Sequence, residues 1–250
     1  MLSFLKPKRE FGELVNKERF EKILEKYIAP KLSELGFVWT KERAFSEEEI
    51  EIVKSLSTSV KSPEKLFIGD SFERERGKML DTIVIKRNGH AGRLLFSAEW
   101  SIDYLPYEAW HLKNFDEEPN AFSVYSWFDG DDKRISSKYR KEHRGITEYD
   151  LSRYTTSNVM EHFLEQTLRI RLPDLEKYNT IQDLITLLES RNEPYAYEMM
   201  FDFYMMNNEV DKAGRTLKWA EDNLKHEYPD WDEDEDVIKR IDLLKKTLNK

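Results

Sequence analysis

The chain has 250 residues, of which 39% are hydrophobic and 36% charged, and it carries a formal net charge of −9. This length suits one large domain or two ordinary ones, and the acidic balance argues against general binding to nucleic acid or anionic membranes, which needs a basic surface. The complete lack of cysteine excludes disulfides, thiolate catalysis and zinc sites that need cysteine ligands.

The N-terminus and the hydrophobic pattern both bear on location. The first ten residues hold neither the apolar run nor the small-residue cleavage site of a secretory signal. No stretch approaches the about 20 consecutive apolar residues of a membrane-spanning helix. We therefore expect a cytoplasmic protein without membrane attachment.

The first predicted element is a helix that begins after Asn16. One apolar stripe repeats at helical spacing through Phe20, Ile23, Leu24, Tyr27 and Ile28. Pro30 should kink or break this helix near Ile28, because proline lacks a backbone N–H and its ring meets the preceding turn. Gly36 is placed as a left-handed cap, with Phe37 packing back onto the helix.

Residues 37–78 carry weaker signals. Phe37 and Trp39 indicate a first strand, and residues 43–45 are a candidate continuation of it. Residues 46–56 are interpreted as a helix. Residues 57–78 are polar and are interpreted as an extended loop.

The clearest strand signal is a hairpin. Residues 82–85 and 93–96 are apolar runs on either side of Asn88-Gly89, a pair that favours tight hairpin turns. The second run could continue to Ile102. Residues 121–128 alternate with bulky groups on both sides, which indicates either a central, covered strand or a strand with a binding face.

The second half of the chain reads as helical. A helix is predicted from Thr155 to about Arg171, and Pro173 should end it. We place a domain boundary at about 173–179, between an α+β domain (17–172) and a smaller helical domain (180–250). The helices predicted beyond the boundary are 180–190, 195–206, 209–226 and 237–248.

Residues 197–226 resemble a single tetratricopeptide-type helical hairpin. The aromatic, small and large apolar positions that carry the resemblance are Tyr204, Ala213, Leu217 and Ala220. Phe201 stands where the family prefers a small residue. No second copy appears, although repeat arrays usually need about three units. The resemblance implies a surface that holds another chain, and an ordinary helical hairpin is the alternative.

The opening of the chain looks like the start of certain bacterial α+β domains of unknown function. The matching positions are Phe20, Pro30, Leu32, Leu35 and the pair Gly36-Phe37. The resemblance implies a kinked helix that leads into a mostly antiparallel sheet. Some small domains of this type serve as immunity proteins against toxins, which is an analogy of fold alone.

Few patterns point to chemistry. The chain has no glycine-rich phosphate loop and no nucleophile elbow, so no cofactor is predicted. No metal site is predicted either: His162 shares a helix face with Glu165 that we interpret as solvated, and residues 129–133 form a turn whose spacing differs from that of a calcium loop. A hydrolase site around His111, Asp116 and Glu117 is the enzymatic alternative.

Aromatic residues are concentrated between Trp100 and Phe128, next to a basic segment at 133–144. Such a cluster packs a core, forms an interface or stacks on single-stranded nucleic acid; the acidic net charge makes nucleic acid the weakest of these. As binding residues we choose two aromatic anchors and two pairing cations: Trp110, Trp127, Arg134 and Arg140. The acidic segment 230–236 is either a solvated linker or a docking patch for a basic partner.

Together these observations predict an α+β fold, with an antiparallel sheet packed with helices and a smaller all-helical part after it. The predicted function is an intracellular protein–protein interaction module of immunity or adaptor type, which acts on a protein partner without covalent chemistry. Two alternatives stay open: the hydrolase described above and a structural homo-oligomer.

Overall fold

A computed structural model describes residues 10–11, 16–44, 67–90, 93–116, 119, 123–128, 133–142, 148–191, 197–227 and 235–248. The fold is α+β, an antiparallel sheet accompanied by helices, as predicted. The strands are β1 (Val38–Thr40), β2 (Arg43–Ala44), β3 (Phe67–Ile68), β4 (Asp70–Arg76), β5 (Met79–His90), β6 (Arg93–Tyr104), β7 (Ser123–Phe128) and β8 (Tyr149–Asp150). The helix predicted at 46–56 lies outside the described residues.

The helices occupy most of the second half of the chain. They are α1 (Asn16–Ile23), α2 (Ala29–Ser33), α3 (Pro106–Phe115), α4 (Lys138–Glu142), α5 (Thr156–Gln166), α6 (Leu172–Leu175), α7 (Ile181–Arg191), α8 (Tyr197–Met206), α9 (Val210–Glu227) and α10 (Glu235–Leu248). The described part of the chain also includes the π-helical segments π1 (Leu24–Ile28) and π2 (Thr167–Arg171). None of the described helices has the length and apolar character that crossing a bilayer requires.

The main sheet has the strand order β1-β4-β5-β6-β7, and β8 pairs with β6. In the antiparallel register Val38 faces Glu73, and Phe96 faces Tyr149. Strands β2 and β3 form a separate antiparallel pair. Strand β6 is buried on both faces for much of its length, and it lies between β5 and β7.

The two strands of the predicted hairpin are present, and the first is longer than predicted. Strands β5 and β6 each run for 12 residues, so residues 88–90 continue β5. The Asn88-Gly89 pair that signals a turn thus lies within the strand. Pairing between long neighbouring strands therefore outweighs the local turn preference.

The prediction of a loop at 57–78 is wrong from Phe67 onward, because β3 occupies Phe67–Ile68 and β4 occupies Asp70–Arg76. Phe72 is the only large apolar residue of β4, so the sequence shows little alternation. The strand's polar groups have partners: Arg74 donates two hydrogen bonds to the buried carboxylate of Asp81, at 2.7 and 3.1 Å. Gly77, at φ +62, then turns the chain into β5.

The predicted apolar stripe of the first helix is confirmed, since Phe20, Ile23, Leu24 and Ile28 are buried. Pro30 does not end the helix. The chain widens into π1, where Ala29 N–H donates to Leu24 O, and continues as α2 with Pro30 in its first turn. The wider turn accommodates proline, which lacks a backbone N–H and carries a bulky ring.

The predicted helix cap at Gly36 is confirmed in detail. Gly36 has φ +87, its N–H donates to Ser33 O at 3.0 Å, and Phe37 N–H donates to Leu32 O at 3.1 Å. These two bonds form a Schellman motif, which needs a left-handed residue at the glycine position. Phe37 is buried, as the motif's apolar contact requires.

A second helix repeats the same solution around Pro173. Helix α5 widens into π2, where Leu172 N–H donates to Thr167 O, and α6 then carries Pro173 in its first turn. The prediction that Pro173 ends the helix is therefore wrong by one short turn, since α6 extends to Leu175. In both helices a π-helical segment directly precedes the proline-containing turn.

Contacts divide the chain into two compact units. The first takes described residues within Met1–Arg74, Asp81–Ser101 and Ser126–Leu175, and the second takes those within Glu75–Leu80, Ile102–Tyr125 and Glu176–Lys250. The domains predicted from the sequence, 17–172 and 180–250, stay a prediction about which segments fold independently.

The first unit is built around an aromatic core. Phe96 of β6 stacks on Tyr149 with ring centroids 4.5 Å apart. Phe20 of α1 lies 5.5 Å from the Phe96 ring, and Phe163 of α5 lies 5.8 Å from it. All four rings are fully buried, so the two long helices of this unit pack on the sheet through aromatic contacts.

The second unit contains α3 and the helices from α7 onward. Helices α8 and α9 form the predicted hairpin, and Asn208 makes the turn between them with φ +60. Ala213, Leu217 and Ala220 on α9 are buried, at the i, i+4, i+7 spacing of one helix face. Small side chains at two of these positions let the two helices approach closely.

Candidate functional site

The strongest candidate site is a groove in the second unit, between helices α7, α8 and α9. Its volume is about 220 Å³. Its lining residues are Leu188, Glu189, Tyr197, Met200, Arg215, Thr216 and Trp219. Most of these side chains are apolar or aromatic, as in sites that bind organic ligands and peptide side chains.

The helical hairpin explains why this groove exists. On α9, Ala213, Leu217 and Ala220 point into the helix contact and are buried. Thr216 and Trp219 each precede a buried position by one residue, so they flank the core face and are only half-buried. Arg215 lies on the same side as Trp219, four residues away, where helix neighbours meet.

The α7 side of the groove carries a carboxylate with two partners. Tyr204 donates to Glu189 Oε1 at 2.6 Å, and Lys212 Nζ lies 3.5 Å from the same carboxylate. Lys212 also pairs with Glu209 at 2.6 Å and lies over the Tyr204 ring. Burial and the bond to Glu189 raise the pKa of Tyr204, so the phenol stays a donor at neutral pH.

Arg215 differs from Glu189. It is exposed at the groove, and within the described parts of the chain no hydrogen bond or ion pair of its guanidinium is found. The charge of Glu189 is thus balanced by its neighbours, while the positive charge of Arg215 has no counter-ion among the described residues.

A buried polar network lies behind the groove in the same unit. Asp202 Oδ2 accepts hydrogen bonds from Tyr107 at 3.0 Å and from His111 Nδ1 at 2.8 Å. Arg240 Nη2 lies 2.9 Å from His111 Nε2. Because arginine is always a donor, Nε2 must be the acceptor, and His111 is the neutral tautomer with its proton on Nδ1. The network ties α3, α8 and α10 together.

This network reaches the groove through Glu198. Arg240 Nε donates to Glu198 Oε2 at 3.2 Å, and Tyr197 donates to Glu198 Oε1 at 3.1 Å. Tyr197 lines the groove. Its ring is therefore held by an ion pair that is itself fixed by His111, so the buried network positions one wall of the site.

Asp202 is the most constrained member of the network. Its side chain is fully buried, and Oδ1 has no hydrogen-bond partner among the described residues. Burial raises the pKa of its carboxyl, while the hydrogen bonds from His111 and Tyr107 oppose that rise. Burial also raises the pKa of Tyr107, which keeps its phenol protonated as a donor.

The structure places the four residues chosen as a binding face in different units. Trp110 is half-buried on α3 in the second unit. Trp127 lies on β7 in the first unit, and its side chain is outside the described set. Arg134 is exposed, 3.9 Å from Asp174, and Arg140 is half-buried on α4. Their joint role as a binding face stays a prediction.

Of the three residues of the hydrolase alternative, the structure describes two. His111 is buried and bonded to Asp202 and Arg240. Asp116 is exposed and forms the left-handed cap of α3, with φ +59. Glu117 lies outside the described residues. The acid that contacts His111 is therefore Asp202, which lies 91 positions further along the chain.

The interpretation of His162 as part of a solvated face is wrong. His162 is fully buried on α5, and its Nδ1 lies 2.6 Å from Ser137 Oγ. Ser137 Oγ also accepts the backbone N–H of Arg140 at 3.2 Å, which caps the first turn of α4. His162 thus secures a capping residue.

A smaller cleft of about 150 Å³ lies in the first unit and includes Asp70, Glu42 and Lys41 in its lining. Its charges engage one another: Asp70 accepts from Trp39 at 2.9 Å, Arg87 makes two hydrogen bonds to Glu42, and Lys41 pairs with Glu21 and Glu25. Burial raises the pKa of Asp70. The charged groups of this cleft therefore have partners within the protein and are less available to a ligand than those of the groove.

Comparison with known proteins adds no relative. No protein-family model matches the chain, and neither curated proteins nor solved structures gave a match to it. Within the described parts of the chain, no group of three histidine or carboxylate side chains is placed to hold a metal ion. The groove and the network behind it are therefore the features from which a function can be inferred.

Proposed function

We propose that the protein is a protein-interaction module, of adaptor or toxin-immunity type, that holds a segment of a partner chain in the α7–α8–α9 groove. It acts in the cytoplasm by scaffolding or occlusion, without covalent chemistry. The observation that carries this proposal is the groove, an open, mostly apolar depression with an aromatic wall and an exposed arginine that has no ion-pair partner in the described part of the chain.

The size of the groove favours a peptide anchor over a small-molecule ligand. Pockets for drug-sized ligands have volumes of about 300–1,000 Å³, and the groove has about 220 Å³. A space of this size fits one or two side chains. Aromatic residues and arginine dominate binding hot spots, and the groove presents Tyr197, Trp219 and Arg215.

The environment of His111 favours binding over hydrolysis. A general base needs a lone pair within reach of the proton that it abstracts. The Nε2 lone pair of His111 is taken by Arg240 at 2.9 Å, and the ring is 1% exposed. The same hydrogen bonds suit a structural role, in which His111 bridges Asp202 and Arg240.

The resemblance to a tetratricopeptide-type hairpin supports the same proposal, because such hairpins hold other chains. The sequence also predicted Trp110, Trp127, Arg134 and Arg140 as binding residues, and each would add contacts with the partner. The acidic segment 230–236 would dock a basic surface of the partner; residues 228–234 lie outside the described part of the chain.

The test is partner capture that depends on the groove. The tagged chain is expressed in the organism that makes it, as wild type and as Thr216→Phe, which fills the groove from α9. Lys218→Phe is the matched control, because Lys218 is exposed on the same helix and does not line the groove. Circular dichroism and thermal unfolding establish that both variants fold.

A stoichiometric protein that co-purifies with wild type and Lys218→Phe, and is lost from Thr216→Phe, supports the proposal. Retention of the same protein by Thr216→Phe contradicts it. Light scattering on the purified chain separates the homo-oligomer alternative: a self-dimer that Thr216→Phe dissociates would mean that the groove holds a second copy.

A further inference from the structure

We propose that the groove selects partner segments in which an apolar anchor side chain is flanked by an acidic residue, and that Arg215 binds the flanking carboxylate. This inference rests on the proposed function and specifies the partner's chemistry. It would make the groove specific for acidic segments, although the chain as a whole carries a net charge of −9.

The two charged side chains at the groove, Glu189 and Arg215, differ in whether they have partners. Glu189 accepts a hydrogen bond from Tyr204 and lies 3.5 Å from Lys212, so its charge has local partners. Arg215 has none among the described residues. A basic segment would meet an unpaired guanidinium and an already engaged carboxylate. An acidic segment supplies the counter-ion that Arg215 lacks.

The spacing of Arg215 and Trp219 on α9 suits a short segment that contacts both. Arg215 and Trp219 are four residues apart on α9 and both line the groove, so their side chains are neighbours on one helix face. An extended peptide advances about 3.3 Å per residue. A carboxylate one or two positions from the anchor residue therefore reaches Arg215 while the anchor contacts Trp219 and Met200.

The guanidinium group of arginine is suited to binding a carboxylate at this position. A planar guanidinium accepts a carboxylate in a two-point hydrogen-bonded pair. Apolar walls lower the local dielectric, which strengthens such a pair relative to one in open water. The guanidinium plane also stacks on aromatic rings, and Trp219 is the neighbouring aromatic side chain.

The carboxylate is assigned to an acidic side chain within a continuous segment. The groove borders the middle of α9, which extends five residues before Arg215 and eight beyond Trp219. A bound segment can thus continue in both directions along the helix. A free chain terminus is not required to place a carboxylate at Arg215.

The test uses the full chain as the target for selection from a displayed library of random 12-residue peptides. Each peptide is fixed between linkers so that it presents no free terminus. Recovered peptides are then titrated by fluorescence anisotropy into wild type, Arg215→Gln and Thr216→Phe. Lys218→Gln is the matched control, since it removes one positive charge from the same helix outside the groove.

The expected result is enrichment of an apolar residue with Asp or Glu within two positions. Arg215→Gln should then weaken binding about 10-fold, the size of one charge-assisted pair of about 1.4 kcal/mol, and Lys218→Gln should change it less than about twofold. Selection with Arg215→Glu should recover Lys or Arg at the flanking positions.

Two other outcomes would overturn the inference and differ in what they mean. Peptides that Thr216→Phe rejects, but that lack acidic flanks or bind Arg215→Gln equally well, would leave the groove as a binding site and refute its specificity. Failure to recover any peptide that depends on the groove would refute the proposed function as well.

Discussion

Asp202 gives the sharpest test of how the second unit is held together. Its carboxylate is fully buried and accepts hydrogen bonds from Tyr107 and His111. Asp202→Ala removes the acceptor and leaves two buried donors unpaired. Each such donor costs about 1–3 kcal/mol, so two of them cost about 2–6 kcal/mol. We expect a loss of about 2–6 kcal/mol in the free energy of unfolding.

Asp202→Asn separates hydrogen bonding from charge. Both donors bond to Oδ2, and Oδ1 has no partner among the described residues. The single amide oxygen of asparagine can accept both bonds at the Oδ2 position, with its NH₂ where an unpaired atom already lies. Weaker neutral hydrogen bonds are offset by the removal of a buried charge, so we expect a loss of about 0–2 kcal/mol.

Urea unfolding followed by tryptophan fluorescence gives the free energies, and hydrogen exchange of α3, α8 and α10 shows where stability is lost. Asp242→Ala is the control: this side chain is 60% exposed, and its loss should cost within about 0.5 kcal/mol. Equal stability of Asp202→Ala and Asp202→Asn would refute the assigned hydrogen bonds. Protected α8 amides in Asp202→Ala would refute the network as the link among the helices.

Three further predictions concern the rest of the fold. Ala213→Leu should cost about 1–3 kcal/mol by overpacking the fully buried helix contact, whereas Val210→Leu at a 47% exposed site should be neutral in the same urea assay. Gly69→Ala should destabilise the fold, because its Cβ would lie 2.5 Å from Ile85 O. Gly214→Ala should stabilise the fold by about 0.5–1 kcal/mol, because alanine has the higher helix propensity. Equal thermal midpoints of the two variants would contradict this. The backbone N–H of Asn179 and the groups of Thr180 hold the pKa of Asp183 below its usual range. Asp183 therefore stabilises the start of α7 above about pH 4, and that contribution disappears as pH falls through its folded pKa. The unfolding free energy of Asp183→Asn should depend less on acid pH, and an unchanged pH profile would refute these hydrogen bonds as the cause.

Local patterns predicted the helices well. The stripe from Phe20 to Ile28 and the cap at Gly36 are where periodicity and glycine chemistry place them. The predicted helices beyond residue 180 agree with α7 to α10 within two residues at each end. These elements depend on side-chain spacing along one helix, which a sequence displays directly.

Elements that depend on distant partners were missed or misplaced. Strand β4 has a charged sequence and owes its place to β1, β5 and the pair between Arg74 and Asp81. Pro30 predicts a kink or break and Pro173 predicts a helix end, because a sequence does not reveal the π-helical turns that accommodate both prolines. Burial of His162 likewise follows from tertiary packing.

The candidate site was only partly accessible from the sequence. The spacing of Ala213, Leu217 and Ala220 predicted the face that α9 buries, so the flanking positions Arg215 and Trp219 could have been singled out as half-exposed neighbours. The network behind the groove could not, because His111 joins Asp202 and Arg240 from 91 and 129 positions away. No local pattern connects residues so far apart.

The most direct test of the groove as the binding site is methyl NMR of the full chain labelled at its seven methionines, titrated with a peptide from the display selection. Met200 lines the groove, whereas Met160 is buried in the first unit. The account predicts a saturable shift of the Met200 methyl signal with Met160 unchanged. Saturable binding that leaves the Met200 signal in place would contradict it.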